Sequence, residues 1–464
     1  MTRLVIVGGS DAGISAALRA RELDPTVEPL LVVADGYPNF SICGIPYHVS
    51  GEVPDWRDLA HRTETDLRAA GLDLRLDTHA EHIDPQARTL TVTTPDATLD
   101  ELGYDQLIIG TGAAPVRPSI AGLDRLGHTD AVHVLHTIGD TLALTATLNQ
   151  RPGSALIVGA GYIGLEMAEA LRTRGIAVTM IEQLPQVLPT VDPHLAAFVE
   201  DELARHHVEV VIGTTVTRNH RDPSGLTVTG HATDQPDTSF ARTVDVVLVV
   251  VGVRPDTTLA QTAGVALGVR GAIAVDRRMR TNIPGIWAAG DCAVTYHRLL
   301  DTDAYLPLGS TAHKQGTVAG QNALGGNRSF TGSLGTQVVK VFDLVAARTG
   351  LRDHEAVAHG LRPSTHAATA DDHKRYYPGA QPIHIRITGD TATGRLLGAQ
   401  LVGHRDTAVA KRVDTYAAAL HHHADVADIE DLDLSYTPPL GSPYDAVQIA
   451  THQWTLATAL TRVA

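Results

Sequence analysis

Two stretches of this chain repeat one pattern of apolar and polar positions. In the first, an unbroken apolar run at residues 4–7 enters Gly8-Gly9-Ser10-Asp11-Ala12-Gly13. A segment of helical period follows to about residue 23, and a second apolar run at 30–33 ends at Asp35. In the second, residues 155–158 enter Gly159-Ala160-Gly161-Tyr162-Ile163-Gly164, a helical segment runs to about 174, and residues 178–181 end at Glu182. Strand runs without polar alternation predict a parallel sheet covered on both faces.

Each stretch predicts strand, glycine turn, helix, strand, which is how a Rossmann-like domain begins. Further apolar runs meet glycine at 107–109 (before Gly110-Thr111-Gly112), at 246–251 (before Gly252-Val253-Arg254-Pro255) and at 286–289 (before Gly290-Asp291). From about residue 325 the texture changes. Residues 383–387 and 397–402 read as strands around a turn-rich 389–394, and 407–423 reads as a helix. The fold class predicted is α/β, with two Rossmann-like dinucleotide-binding domains and a C-terminal α+β domain.

Composition narrows the function. Of 464 residues 43% are hydrophobic and 19% charged, enough apolar material for a sizeable core. The net charge of −15 argues against nucleic acid or an anionic membrane as partner, since either needs a basic face. No apolar run approaches the roughly 20 residues that span a bilayer. The chain opens directly on strand residues without a signal architecture, so a cytoplasmic location is expected. Cys43 and Cys292 are the only cysteines, and neither has a CxxC partner. Thiol chemistry must then rest on one sulfur, and no zinc-type metal site is expected. His421-His422-His423 does not alter this, because consecutive helical residues diverge by about 100° and do not converge on one ion.

The glycines carry chemistry. In such a turn the first allows the bend, the second lets backbone approach a pyrophosphate, and the third lets helix pack on strand. Gly159, Gly161 and Gly164 meet all three needs, with Ile163 in the same turn and Glu182 placed for an adenosine ribose. Residues 183–188 contain no Arg or Lys, so NADH is favoured over NADPH. The N-terminal turn has Gly8 and Gly13 with Ser10 in the middle position, and Asp35 placed for a ribose. Two dinucleotide sites imply relayed hydride transfer, nicotinamide on one and FAD on the other. A strand ending at Gly290-Asp291 can aim a carboxylate at a ribityl hydroxyl, which NAD lacks.

Here the sequence resembles the two-dinucleotide-binding flavoprotein disulfide reductases. The resemblance rests on residues 104–115, YDQLIIGTGAAP, and on Gly252-Val-Arg-Pro255, the Gly290-Asp291 segment, residues 306–316, 339–343 and 394–403. Phe40-Ser-Ile-Cys-Gly-Ile-Pro-Tyr47 is similar to the single-cysteine signature of one branch, which contains coenzyme A disulfide reductase, NADH-dependent persulfide reductase, NADH oxidase and NADH peroxidase. The resemblance implies an FAD-binding domain (1–150 and 281–324), an NAD-binding domain (151–280) and a C-terminal dimerisation domain (325–464), with homodimers sharing active sites. It implies FAD held by the N-terminal turn, Thr111, Gly112, Asp291, Thr311 and Ala312.

Cys43 falls eight residues after Asp35, and Pro46 suits the first turn of a following helix, whose N-terminus would stabilise a thiolate. Cys292 reads as structural. The coenzyme A enzymes place two tyrosines from the partner subunit near the sulfur, in Tyr-Tyr-Pro and Tyr-Ala-Pro-Pro segments. Tyr376-Tyr377-Pro378 and Tyr436-Thr437-Pro438-Pro439 match, which carries the role to Tyr377 and Tyr436. The expected activity is reduction of a small disulfide or persulfide, CoA-linked in type, by NADH through FAD and Cys43. The alternatives are an oxidase or peroxidase acting on O₂ or H₂O₂, and a slow flavin redox sensor. Three departures bear on the choice: Asp11 stands where peroxidases and oxidases have His, Ile42 where the coenzyme A enzymes favour Asn, and Arg19, Arg21 and then Glu22 where they favour consecutive basic residues. Glu166, Lys314 and His48 are further residues that the pattern brings toward the flavin or the sulfur.

Overall fold

The computed structural model describes residues 2–223 and 225–463. The chain groups into two units: Met1–Val116 with Leu135–Leu142 and Gly252–Ser333, and Arg117–Val134 with Ala143–Val251 and Leu334–Ala464. Three helices recur below: α1 (Asp11–Leu23), α2 (Tyr162–Thr173) and α3 (Gly309–Ala323).

The first unit is built on a five-stranded parallel sheet. Its order is Ile286–Ala288, Gln106–Ile109, Leu4–Val7, Leu30–Val32, Asp73–Arg75. Leu4–Val7 is buried at every position, as a strand covered on both faces must be. One cover is the pair α1 and α3, which cross at backbone distance. A Cβ on Gly316 would stand 2.1 Å from the Ala12 carbonyl oxygen, and one on Gly320 2.2 Å from that of Ala16. Glycine at this spacing of four is therefore a packing requirement.

The second unit holds a five-stranded parallel sheet ordered Val208–Val211, Ala177–Ile181, Ser154–Val158, Val246–Val249, Val132–Val134. It also holds a five-stranded antiparallel sheet, with Gln337–Val341 and Pro363–Asp371 at its edges. The helix Val409–His421 packs on that sheet, and Trp454 of the C-terminal helix lies against Gly389, where a Cβ would meet its ring at 2.5 Å. This is the α/β class with a separate α+β region.

Residues 252–280 were expected with the second nucleotide segment, and in the structure they pack in the first unit. Val253–Pro255 pairs with Ala113–Pro115, and Leu259, Val265 and Ile273 share a core with Ile83 and Leu107. No helix among the described residues is long and apolar enough to cross a membrane.

Candidate active site

The first glycine turn is shaped by what lies behind it. Gly8 has φ 119°, and a Cβ there would stand 2.1 Å from the Gly110 carbonyl oxygen. A Cβ on Gly13 would stand 2.0 Å from the Gly8 carbonyl oxygen. Ser10 between them is exposed and extended (φ −104°), so the middle position takes a side chain without conflict. Gly290 brings a second strand end to the same place: a Cβ there would meet the Ala12 and Ala312 methyls at 2.8 and 3.5 Å. Buried Gln315 fixes it, accepting the Gly290 N–H at 2.8 Å and donating to the Val294 carbonyl at 3.1 Å. Thr311 and Ala312 are buried in the opening turn of α3.

Two carboxylates, Asp11 and Asp291, meet at this junction. Burial, and then the charge of Asp11, push Asp291 up to about 6. Asp11 itself reaches toward α3, its Oδ2 3.0 Å from where a Gly309 Cβ would stand. Half-buried Asp35 accepts the Tyr37 N–H at 2.9 Å, and burial raises its pKa. The Thr111 hydroxyl donates to the Asp256 carbonyl at 2.6 Å, whereas Gly112 (φ 72°) faces open space. Amides opening a helix, glycines that leave backbone bare and carboxylates able to take sugar hydroxyls form a donor and acceptor set that fits FAD.

Cys43 lies within a single helical turn, Ile42–Gly44, just before the six-residue helix Ile45–Ser50 with Pro46 in its first turn. The residue is exposed and in no disulfide. The loop that carries it is tied to the first glycine turn, because the Asn39 N–H donates to the Gly9 carbonyl at 2.6 Å. Behind it the Ser41 N–H donates to the Leu59 carbonyl at 2.9 Å, and a Gly44 Cβ would meet Leu59 at 2.6 Å. His48 is buried with Nδ1 2.9 Å from the Val53 carbonyl oxygen, so it secures the helix end. Cys292 is buried, with Sγ 3.4 and 3.5 Å from the Ala289 and Ile109 carbonyl oxygens, and burial pushes its thiol up. It is structural.

The basic residues of α1 are committed to the protein. The Arg19 guanidinium donates to Glu22 at 3.0 Å and to Gln321 at 3.1 Å. That of Arg21 donates to the carbonyls of Ala70 (3.1 Å), Val27 (2.9 Å) and Pro25. Lys314 is exposed on α3, and its neighbour His313 pairs with Ser15 at 2.9 Å.

The second glycine turn repeats the steric logic. Gly159 has φ 108°, and a Cβ there would stand 2.6 Å from the Val250 carbonyl oxygen; one on Gly164 would stand 2.1 Å from the Gly159 carbonyl oxygen. Gly161 has nothing within 4 Å of its Cβ position, a bare stretch of backbone at the start of α2 that fits a pyrophosphate. Ile163 is half-buried one residue before Gly164. Glu182 is buried, accepting the Ala160 N–H at 2.8 Å and the Leu184 N–H at 2.9 Å, so the acid expected at a ribose also holds its own turn. Along α2, Glu169 pairs with Lys340 and accepts the Phe342 N–H at 2.8 Å. Burial, then the Glu169 charge, raise Glu166 to about 7. Gly252 belongs to the first unit, where its carbonyl accepts the Val116 N–H at 2.9 Å.

Tyr377 and Tyr436 are 43% and 44% exposed, open enough to meet a second molecule. Tyr436 hydrogen-bonds the more exposed Tyr376, raising that phenol's pKa, and Tyr377 sets its ring edge-on to His373 at 5.7 Å. Sequence reasoning missed Tyr376, although the doubled tyrosine was a signal. His421 and His422 cross edge to face at 5.1 Å rather than converging.

Comparison with known proteins places the chain. The sequence model of the pyridine nucleotide-disulphide oxidoreductase family matches residues 2–316, and that of its dimerisation domain matches 336–445. The NAD(P)H sulfur oxidoreductase (CoA-dependent) of Pyrococcus furiosus is 32% identical over 96% of this chain and 97% of its own. An NADH oxidase of Methanocaldococcus jannaschii is 30% identical over 97% of each. The solved NAD-dependent persulfide reductase from A. fulgidus superposes with a TM-score of 0.92 at 33% identity, covering 99% of this chain and 84% of that one. The chain belongs to the pyridine nucleotide-disulphide oxidoreductase family and is an NAD(P)H-dependent flavoprotein oxidoreductase.

Proposed function

We propose that this protein reduces a small disulfide or persulfide with NADH, using Cys43 as its single redox sulfur. The observation that carries the reading is the exposed Cys43 on a loop tied to the first glycine turn through Asn39 and Gly9. FAD held by these residues would supply the flavin chemistry that carries two electrons from NADH to sulfur. The Cys43 thiolate attacks one sulfur of the substrate. The S–S bond breaks, the leaving thiolate takes a proton, and Cys43 is left in a mixed disulfide or persulfide. Two electrons and a proton then release the second thiol, or sulfide, and restore the thiolate.

The sites follow the same reading. Gly8, Ser10, Gly13, Asp35, Thr111, Gly112, Asp291, Thr311 and Ala312 hold FAD. Gly159, Gly161, Ile163, Gly164, Glu182 and Gly252 serve NADH. Segment 325–464 pairs two copies as a homodimer, in which Tyr377 and Tyr436 supply or position the proton. The dimerisation-domain match and the exposure of both phenols support that arrangement. A cytoplasmic location agrees with a working thiol and with two cysteines in no disulfide.

A CoA-linked substrate has support from the Pyrococcus furiosus relative. Arg19 and Arg21 would have to be released from their present partners before meeting its phosphates. The oxidase reading has the Methanocaldococcus jannaschii relative in its favour and Asp11, in place of a proton-transferring histidine, against it. Steady-state NADH oxidation with CoA disulfide, a small persulfide, O₂ and H₂O₂, repeated with Cys43→Ser, decides. The expected loss is at least about 10³-fold with sulfur acceptors. Undiminished turnover in Cys43→Ser means direct flavin chemistry and defeats the proposal.

A further inference from the structure

A half-exposed phenol swings about its side-chain torsions unless something packs against it, and a proton donor works only when held in reach of its target. Tyr377 is such a phenol, and His373 meets its ring at 5.7 Å between centroids with the planes at 72°. That is the edge-to-face arrangement aromatic pairs prefer. The Tyr377 N–H closes the turn between them, donating to the Lys374 carbonyl at 2.8 Å.

His373 is buried and fixed from behind. Its Nδ1 lies 2.9 Å from Asp372 Oδ2. Asp372 is itself immobile: Oδ1 accepts the Gln381 N–H at 2.8 Å, its own N–H donates to the Gln381 carbonyl at 2.9 Å, and its carbonyl accepts the Arg412 guanidinium at 2.7 Å. Buried Arg412 is gripped in turn by Asp445 at 2.7 and 3.0 Å. The hydrogen bond from Asp372 holds His373 above the usual imidazole range, and the backbone of Pro378 and Tyr377 adds to it. A buried carboxylate–imidazole pair is a poor source of stability, but it fixes the tautomer and angle of the ring. The same loop is tied to the other tyrosine segment, because the Lys374 N–H donates to the Pro438 carbonyl at 3.3 Å and Tyr376 hydrogen-bonds Tyr436.

We propose that His373, locked by Asp372, is a positioning residue that holds the Tyr377 phenol in the orientation from which it protonates the leaving thiolate. His373 acts only through Tyr377, which gives its phenol proton to that thiolate and regains one from solvent. His373 has this role only if Tyr377 carries the proton, as proposed above.

A double-mutant cycle in the full-length holoenzyme tests it, with NADH as donor and CoA disulfide as acceptor, or a small persulfide if that turns over faster. His373→Asn removes the ring and keeps a donor for Asp372. It is expected to lower kcat roughly tenfold with KM within twofold of the parent. In a Tyr377→Phe background, where the ring remains and the phenol is gone, the same change is expected to lower kcat less than twofold. Asp372→Ala frees the imidazole and should match His373→Asn, while Asp372→Asn, which keeps an acceptor for the ring N–H, should lose less. Equal losses from His373→Asn with and without the phenol overturn the proposal, since His373 then serves the fold at large. So does a raised KM with kcat unchanged, which marks a binding role. If His373→Asn does not fold, as judged by flavin content and thermal midpoint, Asp372→Asn passes through the same cycle and decides. Parent kcat in Tyr377→Phe alone ends the tyrosine's proton role and the positioning with it. A low kcat there with His373→Asn silent in the parent ends the positioning only.

Discussion

The two glycine turns obey one steric rule at their ends and differ in the middle. At the outer positions the protein itself demands glycine: a Cβ on Gly8 or Gly13 would stand 2.1 or 2.0 Å from a backbone oxygen, and one on Gly159 or Gly164 2.6 or 2.1 Å. At the middle position it does not, since Ser10 sits comfortably and Gly161 has open space where a Cβ would stand. Outer glycines are there for the fold, and the middle glycine is there for a ligand. The acids differ too. Glu182 grips the Ala160 N–H of its own turn, while Asp35 takes the Tyr37 N–H and leaves its turn alone.

The strongest attack on this comparison is an added methyl. Gly13→Ala and Gly164→Ala each drive a Cβ into a carbonyl oxygen that cannot yield without opening the turn. Each is expected to cost about 3 kcal/mol or more in denaturant unfolding. Gly161→Ala is the counter-case: stability within about 0.5 kcal/mol of the parent, but KM for NADH raised roughly tenfold, because the methyl occupies space meant for phosphate. If Gly161→Ala destabilises as much as Gly164→Ala, the division between fold and ligand positions fails.

The acids give a smaller effect. Glu182→Ala leaves two N–H groups without their carboxylate and is expected to cost about 2 kcal/mol, together with weaker discrimination of NADH from NADPH. Asp35→Ala gives up one such bond at a more exposed site and should cost about 1 kcal/mol or less, with FAD affinity rather than NADH selectivity as the property that moves. Unfolding curves and coenzyme KM ratios check both. Equal costs would mean that Glu182's grip on Ala160 contributes nothing.

What the sequence reveals of this site follows from how local the cause is. The glycine turns, their flanking strands and Cys43 are legible because the steric and chemical reasons lie within a few residues. Asn39, Gln315 and Arg21 are not, because their meaning comes from partners far along the chain: Gly9, Gly290 with Val294, and the carbonyls of Val27 and Ala70. Gly316 and Gly320 were readable in principle, their spacing of four being that of one helix face, but only the facing carbonyls of α1 show what the spacing serves. Residues 252–280 misled for the same reason. Their apolar pattern is ordinary, and only the core shared with Ile83 and Leu107 assigns them to the first unit.

The helices leaving the two turns extend the contrast. α1 meets its neighbour through alanine and glycine, whereas α2 presents Glu166 and Glu169 on one face, with Lys340 taken by Glu169. Glu166 is therefore a buried carboxyl beside another carboxylate, raised from 4.5 to about 7. A folded-state pKa above the unfolded one means that the folded protein holds the proton more tightly. Glu166 is harmless at low pH and destabilises progressively as pH climbs from 4.5 through 7, after which its cost is constant. Glu166→Gln removes the ionisation while keeping the shape. Relative to the parent it should gain up to about 2 kcal/mol at pH 8 and far less at pH 5, read from unfolding midpoints at the two pH values. A gain equal at both would show that Glu166 does not titrate in this range, and the polar face of α2 would then differ from the apolar face of α1 in composition but not in energy.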